Sequence, residues 1–97
     1  MATYIGLATF TDQGMRTVKD TVKRADAARE LGARFGVQMT DIHWTLGNFD
    51  IVAEFEAKDD AAMVAYSLAI ASAGNVKFES LRALSRDEMT QVVTKLP

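Results

Sequence analysis

The chain of 97 residues has no cysteine and only one histidine. The lack of cysteine excludes disulfide bonds and a thiol nucleophile, and it is compatible with a reducing cytoplasm. A single histidine leaves only carboxylates as metal ligands, and these do not follow the spacing of a Ca²⁺-binding loop. A phosphate-binding loop, a dinucleotide fingerprint and a Ser-His-Asp pattern are also absent. We therefore expect no metal and no cofactor.

An excess of positive charge and long apolar runs are missing as well. The net charge is −2, and bases alternate with acids, as in Lys19-Asp20 and Arg29-Glu30. This distribution argues against a nucleic-acid partner. The longest apolar run, Ala61 to Ala73, is shorter than the ~20 residues of a membrane span. The N-terminus shows no signal-peptide pattern, so we expect a cytoplasmic protein without a membrane partner.

The composition that remains is typical of one globular domain spanning residues 1–97, with 48% hydrophobic and 25% charged residues. β-Branched and aromatic runs predict four strands. Their predicted ranges are Thr3 to Phe10, Val37 to Leu46, Asp50 to Ala57 and Asn75 to Leu84. With the intervening helices the order is β-α-β-β-α-β plus a C-terminal helix. We therefore predict an α+β, ferredoxin-like fold with a four-stranded antiparallel sheet.

Apolar spacing and capping residues predict the helices. A turn at Asp12-Gln13-Gly14 leads into one long helix, whose apolar stripe consists of Val18, Val22, Ala25, Ala28, Leu31 and Phe35. Ser85 and Glu88 form a capping box that starts the short C-terminal helix. The apolar side of each of these helices must be buried against another surface.

The helix from Ala61 to Ala73 is nearly apolar on all sides. Asp59 or Asp60 can cap its first turn, and Gly74 stands where a helix typically ends. A helix of this kind is buried on more than one side. We expect part of its surface to face a second subunit.

Several short segments, in order along the chain, resemble the GYD-domain family. They are Thr11-Asp12-Gln13-Gly14, Leu46-Gly47-x-Phe49-Asp50, Glu56-Ala57-x-Asp59-Asp60, Gly74-Asn75-Val76 and Leu81-Arg82-Ala83. The departures are modest: Phe49 replaces the usual tyrosine, and Val22 and Lys58 stand where proline is common. The resemblance implies a dimeric α+β barrel, and hence a homodimer or a higher even oligomer. Related barrels include cofactor-free monooxygenases, isomerases and effector-binding domains, so the fold implies no single function.

Gly47-Asn48 predicts a two-residue hairpin turn that pairs Trp44 with Ile51 and His43 with Val52. The face predicted to pack on helices carries Ile42, Trp44, Leu46, Ile51, Ala53 and Phe55. The opposite face carries Asp41, His43, Thr45, Asp50, Val52 and Glu54. In the first strand, either Ile5 and Leu7 or Tyr4 and Phe10 would join that second face. A register slip of one residue would exchange the faces.

His43 and Asp50 are the candidate catalytic residues. His43 is the only side chain whose unperturbed pKa lies near neutrality, which suits a general base. The alternative is a strand histidine hydrogen-bonded to Asp41, Glu54 or water. For Asp50, the alternative to catalysis is a hydrogen bond from its carboxylate to nearby backbone N–H groups.

Five further residues are candidates for binding a small molecule: Tyr4, Asp41, Trp44, Glu54 and Arg82. The aromatic rings could line an apolar pocket with a polar tip. They could equally be core or interface aromatics. Asp41 with Glu54 could form a carboxylate pair, or the two carboxylates could be solvated or paired with Arg82 or Lys77.

Two functions are compatible with these features, and a third, effector-sensing regulation of transcription, would need a DNA-binding partner because the chain has no basic recognition helix. The first is a homo-oligomeric binding or accessory protein, with any small ligand held between sheet and helix or inside a dimer. The second is a cofactor-independent, monooxygenase- or isomerase-like enzyme acting on a small organic molecule with His43 as base. The absence of a catalytic motif favours the first.

Overall fold

Four strands and four helices make up the structure, a computed structural model that describes residues 1–97. The strands are β1 (Ala2–Phe10), β2 (Val37–Trp44), β3 (Ile51–Ala57) and β4 (Val76–Ala83). The helices are α1 (Asp12–Arg16), α2 (Thr21–Gly32), α3 (Asp60–Ser72) and α4 (Arg86–Val93). No helix combines the length and hydropathy required to cross a membrane.

The sheet has the strand order β2-β3-β1-β4, and every neighbouring pair is antiparallel. The prediction of an α+β, ferredoxin-like fold is confirmed. α2 and α3 lie on the same face of the sheet, because alternate residues of each strand provide an apolar surface there. The other face carries no helix and is called the free face below.

The core joins both helices to the middle of the sheet. Phe55 of β3 and Tyr66 of α3 are fully buried, and their rings meet edge to face at 5.5 Å. The Tyr66 hydroxyl donates a hydrogen bond to the Ala28 carbonyl of α2 at 2.7 Å. The polar end of a buried ring is therefore satisfied, and the same bond links the two helices.

The single long helix predicted after Gly14 is wrong. The chain forms α1, a 3₁₀ turn at Val18–Asp20, α2, and a second 3₁₀ turn at Ala33–Phe35. Thr17 has φ −116° and ψ 32°, outside the helical region, so the chain changes direction there. Val18 and Val22 are therefore exposed. The later part of the predicted stripe does pack on the core, through Ala28, Leu31 and Phe35.

The hairpin register is confirmed, although the two-residue turn is wrong. Trp44 pairs with Ile51 and His43 with Val52, as predicted. The strands end earlier, and the Thr45 N–H donates to the Asp50 carbonyl across the loop at 2.9 Å. A type I′ turn needs positive φ at both central residues. Of Gly47 and Asn48, only Gly47 has a positive φ, at 120°. Every residue with positive φ in this chain is a glycine.

A β-bulge at Thr40 was not predicted. Met39 pairs with Phe55 and Asp41 with Glu54, so Thr40 is an extra residue without a partner across the strands. Its hydroxyl donates to the Glu54 carbonyl at 3.2 Å. Strand side chains alternate between faces, and one extra residue resets that alternation. The buried Met39 and the more distal apolar residues of β2 consequently face the same helices.

Trp44 lies on the helix side of the sheet, as predicted, but it is 42% exposed. Its indole N–H donates to the Thr21 hydroxyl at the start of α2, at 3.0 Å. The expected burial of Trp44 is therefore wrong within the chain, whereas that of Phe55 is confirmed. This hydrogen bond holds the indole N–H at the edge of the core, where part of the ring remains exposed to solvent.

α3 follows its prediction closely at both ends. The Asp59 carboxylate caps the helix by accepting a hydrogen bond from the Ala62 N–H, and Gly74 has φ 85° just beyond the C-terminus. Its inner side is buried through Met63 and Tyr66, but Val64 and Leu68 are exposed. Within one chain, then, α3 is buried on one side only, and its exposed side leaves the expected contact with a second subunit as a prediction.

The free face has an apolar centre within a polar border. Strand pairing brings together Ile5, Leu7, Val52 and Leu81. Of the two residue pairs considered for β1, Ile5 and Leu7 lie on the free face, because Tyr4 is buried on the helix side. Charged and polar side chains of the neighbouring strands surround this centre.

Candidate functional site

His43 and Asp41 form a pair on the free face. Two positions apart on β2, their side chains point the same way, and His43 Nε2 lies 3.2 Å from Asp41 Oδ2. Both are open to water, with 69% and 64% of their side chains exposed. Asp41 also accepts a hydrogen bond from the Ile42 N–H at 2.9 Å. The pair matches the alternative of a strand histidine bonded to Asp41, and its geometry orients the imidazole.

Asp50 is held in a different environment from His43. Its carboxylate Oδ2 accepts a hydrogen bond from the Phe10 N–H at 2.8 Å, and its own N–H donates to the Ala8 carbonyl at 2.9 Å. Both bonds join the loop before β3 to the end of β1. The structure therefore shows the backbone contact considered above for Asp50. It does not bring Asp50 into hydrogen-bonding contact with His43.

Tyr4 and Arg82 lie on the helix side of the sheet, away from Asp41 and Glu54. The Tyr4 hydroxyl donates to Asp60 Oδ1 at 2.5 Å. The pKa of Tyr4 is raised to about 12, mainly by burial of the ring and secondly by this hydrogen bond to a carboxylate. The Arg82 guanidinium lies 5.7 Å from the Tyr4 ring centre. The predicted ligand residues therefore occupy both sides of the sheet and do not form one site.

A cavity of about 450 Å³ lies between the sheet and helices α2 and α3. Seventeen of its 20 lining residues are hydrophobic. Much of the lining is alanine, namely Ala25, Ala27, Ala28 and Ala69 on the helices and Ala73 just after α3. Its volume lies within the ~300–1,000 Å³ of small-molecule sites. None of the seven residues selected from the sequence lines it.

Three polar residues line the cavity: Thr21, Arg24 and Asn75. All three are half-buried, whereas Phe55 and Tyr66 in the same lining are fully buried. The polar groups therefore lie nearer to solvent than the rings of Phe55 and Tyr66. The cavity has the build of a site for an amphipathic molecule.

Arg24 carries the only charge in that lining. Its Nη1 donates to the carbonyl and hydroxyl oxygens of Thr17 at 2.8 and 2.9 Å, and its Nη2 donates to the Gly14 carbonyl at 3.1 Å. The guanidinium carbon also lies 6.0 Å from the Phe10 ring centre. No carboxylate forms an ion pair with it, since the ion pairs of this chain involve His43 and Arg82. Its positive charge is fixed in place but not neutralised.

Segments that carry the sequence resemblance meet at this same end of the sheet. The Thr11 hydroxyl donates to the Gly74 carbonyl at 2.5 Å, and the Thr11 N–H donates to the Asn75 carbonyl at 3.0 Å. A Cβ on Gly14 would lie 2.0 Å from the Asn75 carbonyl oxygen, so only glycine allows this approach. Asp50 joins the same region through the Phe10 N–H. The motifs thus hold together the strand ends beside the cavity opening.

Sequence reasoning considered a ligand between sheet and helix, but it selected none of the residues that line the cavity and missed Arg24. The available signal was the alanine on facing sides of α2 and α3, because small side chains on two helices above a sheet leave space. Arg24 resembles any solvated arginine in the sequence. Its role depends on the break at Thr17, which folds α1 back toward it. For metals, no three His, Asp or Glu side chains converge as possible ligands.

Comparisons with known proteins give one consistent result. The family model of the GYD domain matches residues 4–93. A relative from Thermus thermophilus, named glutamine synthetase and cystathionine beta-lyase binding protein, is 38% identical over 85 residues, covering 87% of this chain and 90% of the relative. The crystal structure of TTHA0845, also from Thermus thermophilus, aligns with a TM-score of 0.57 at 23% identity. That alignment covers 88% of this chain and 95% of the other, and it supports the fold alone.

Proposed function

The chain belongs to the GYD-domain family, and from that premise we propose that it is a cytoplasmic, homodimeric accessory protein that binds other proteins. The name of the Thermus relative supports this role, since that protein is described as binding glutamine synthetase and cystathionine β-lyase. The exposed apolar surfaces of this chain provide the physical basis. A protein that binds an enzyme needs such a surface rather than catalytic groups.

The observation that carries the proposal is the unpartnered apolar side of α4. Met89, Val92 and Val93 recur at three- and four-residue spacing, and Leu96 continues the row in the following turn. These four side chains are between 41% and 65% exposed. An amphipathic helix of this type can bind in a groove of a partner protein.

The free face supports the homodimer. Its centre, Ile5, Leu7, Val52 and Leu81, is apolar, and a symmetric pair would bury the same patch from each chain. Stacked sheets would also enclose His43 and Asp41. We therefore assign the free face to the dimer and the apolar side of α4 to the partner protein.

Direct binding tests the proposal. Purified glutamine synthetase and cystathionine β-lyase from the source organism are passed over the immobilised chain, and association is followed by biolayer interferometry. We expect at least one enzyme to bind, and Val93→Glu to weaken binding about tenfold or more, since it places a charge in an apolar contact. The matched control is Gln91→Glu, which adds the same charge outside the apolar row. Binding of neither enzyme, or equal effects of the two variants, would contradict the proposal.

The second candidate function is a cofactor-independent enzyme that acts on a small organic molecule. The observation that favours it is the His43–Asp41 pair, because a carboxylate at 3.2 Å orients the imidazole as in a general base. A catalytic His43 requires His43→Ala to abolish turnover without unfolding the chain. The proton NMR signals of this single histidine should also shift when a substrate binds beside it. Full turnover by His43→Ala would exclude this function.

A further inference from the structure

We propose that the cavity between the sheet and helices α2 and α3 is a binding site for an amphipathic carboxylate, such as a medium-chain fatty acid or an arylalkanoic acid. In this assignment the apolar body of the ligand lies along the aromatic and alanine lining, and Arg24 binds its carboxylate at the opening. The inference concerns the opposite side of the sheet from the proposed dimer contact and does not depend on it.

The cavity itself is the first argument. Protein interiors are close-packed, and voids larger than a water molecule are few. The cavity of about 450 Å³ is partly open to solvent and lined mostly by hydrophobic residues, so its apolar walls lack packing partners. Its lining offers few polar partners to ordered water. An apolar ligand body restores the contacts that the walls otherwise lack.

The state of Arg24 is the second argument. A guanidinium has five N–H donors in a planar fork. The three hydrogen bonds of Arg24 go to neutral oxygens and engage Nη1 and Nη2. The Nε–H and one Nη2 N–H remain free, which suits bidentate binding of a carboxylate. Its other contacts hold the side chain in place, so little conformational entropy is lost when an anion binds.

The surroundings of Arg24 favour an anion over a neutral or cationic ligand. Thr21 and Asn75, the other polar residues of the lining, can hydrogen-bond a carboxylate but carry no charge. No carboxylate forms an ion pair with Arg24, and the nearby Asp50 carboxylate is engaged by the Phe10 N–H. An ammonium head group would meet like charge there. A neutral alcohol would gain only hydrogen bonds.

Calorimetric titration of the full chain tests the site with three probes of equal chain length: decanoate, 1-decanol and decylamine. We expect decanoate to bind at one site per chain and about tenfold or more tighter than decanol, with decylamine the weakest. Arg24→Met should remove the preference for decanoate while leaving decanol unchanged. Lys23→Met is the matched control, because it removes a charge from an adjacent, exposed position of α2 that does not line the cavity.

A second variant locates the site independently of Arg24. Ala69→Leu fills part of the cavity and should weaken decanoate and decanol alike, with Arg24 intact. In ¹H-¹⁵N spectra, decanoate should shift amides of Ala28, Ala69 and Val76. Equal binding of decanoate and decylamine to the wild-type chain would overturn the proposal. Shifts confined to Ile5 and Leu7 on the free face, or unchanged binding by Ala69→Leu, would overturn it as well.

Discussion

Asp50 shows how a residue of a family motif can have a purely structural contact. Its carboxylate accepts the Phe10 N–H, and its backbone N–H donates to the Ala8 carbonyl. Both partners belong to β1, whose last residues reach the cavity opening. The motif aspartate therefore positions the strand end without touching the imidazole of His43.

The first prediction is that Asp50→Ala destabilises the chain by about 1–3 kcal/mol, because it leaves the Phe10 N–H without its acceptor. Asp50→Asn keeps an oxygen at that position and should cost less. The free energy of unfolding in urea measures both. The control is Asp26→Ala at an exposed position of α2, with an expected change within ~0.5 kcal/mol. Equal stability of Asp50→Ala and wild type would contradict the structural role.

The second prediction concerns alkaline stability. Burial raises the pKa of Tyr66 to about 12, and burial with the Asp60 bond raises that of Tyr4 to about 12, from an ordinary value of 10.0. The folded state thus keeps both protons when the unfolded chain has lost them. The stability from these groups is complete below pH 10 and is lost as the pH rises through about 12.

Absorbance of tyrosinate tests this directly, since the chain has only two tyrosines. The folded chain should ionise near pH 12 and the urea-unfolded chain near pH 10. Tyr4→Phe should remove half of the folded-state signal without moving the remainder. A phenol that titrates near pH 10 in the folded chain would refute the assignment.

Among the elements, α4 depends most on its own local sequence. The Ser85 hydroxyl accepts the Glu88 N–H at 3.0 Å, and the Glu88 carboxylate accepts the Ser85 N–H at 2.9 Å. The hydrogen bond from the Ser85 N–H lowers the pKa of Glu88 below its usual value, and the hydrogen bond from Arg82 lowers it further. This stabilisation is present above the unfolded pKa of the carboxyl and is lost as the pH falls through the lowered folded value.

The third prediction is that Ser85→Ala frays α4 while the sheet stays intact. Loss of an N-cap serine costs about 1 kcal/mol of helix stability. Hydrogen exchange should accelerate at α4 amides and remain unchanged in β1 and β3. Acidification of the wild-type chain should produce the same local effect. Thr90→Ala serves as control because its hydroxyl only donates to the Arg86 carbonyl. Unchanged exchange in α4 would show that tertiary contacts, rather than the cap, hold the helix.

At the scale of the whole molecule, the sheet is covered on one side only. The chain measures 52 × 31 × 18 Å, so it is a thin layer with a large surface relative to its volume. Val64 and Leu68 of α3 are also exposed. A layer of this shape gains most from association through its uncovered apolar surface.

The fourth prediction is that sedimentation equilibrium at micromolar concentration gives twice the chain mass of 10.6 kDa, or an even multiple of it. Specific dimers typically bury ~1,600 Å² in total, and a symmetric pair would bury the apolar centre of the free face from each chain. Leu7→Lys should shift the equilibrium toward monomer, because it opposes two like charges across the symmetry axis. Val22→Lys, at an exposed position of α2 on the opposite side of the sheet, is the matched control. A wild-type monomer would remove the dimer from the proposed function.

The sequence by itself determined the elements whose signals are local. β-Branched runs specified the strands, and Asp59 and Gly74 specified the ends of α3. The pairing of Trp44 with Ile51 was predicted from the position of Gly47-Asn48 and is confirmed, even though the turn type was wrong. Ser85 and Glu88 defined the start of α4. In each case the physical cause acts between residues close in sequence, so a short window contains it.

Tertiary structure alone decided the features that depend on distant contacts. Thr11 bonds to the Gly74 carbonyl, far along the chain, and this contact accompanies a separate α1 where periodicity predicted one long helix. The bulge at Thr40 keeps the apolar residues of both halves of β2 facing the same core. The cavity and the unpaired charge of Arg24 exist only once α2, α3 and the sheet are assembled. Packing between segments that are distant in sequence determines where a cavity and an unpaired charge remain. A local sequence pattern does not contain this information.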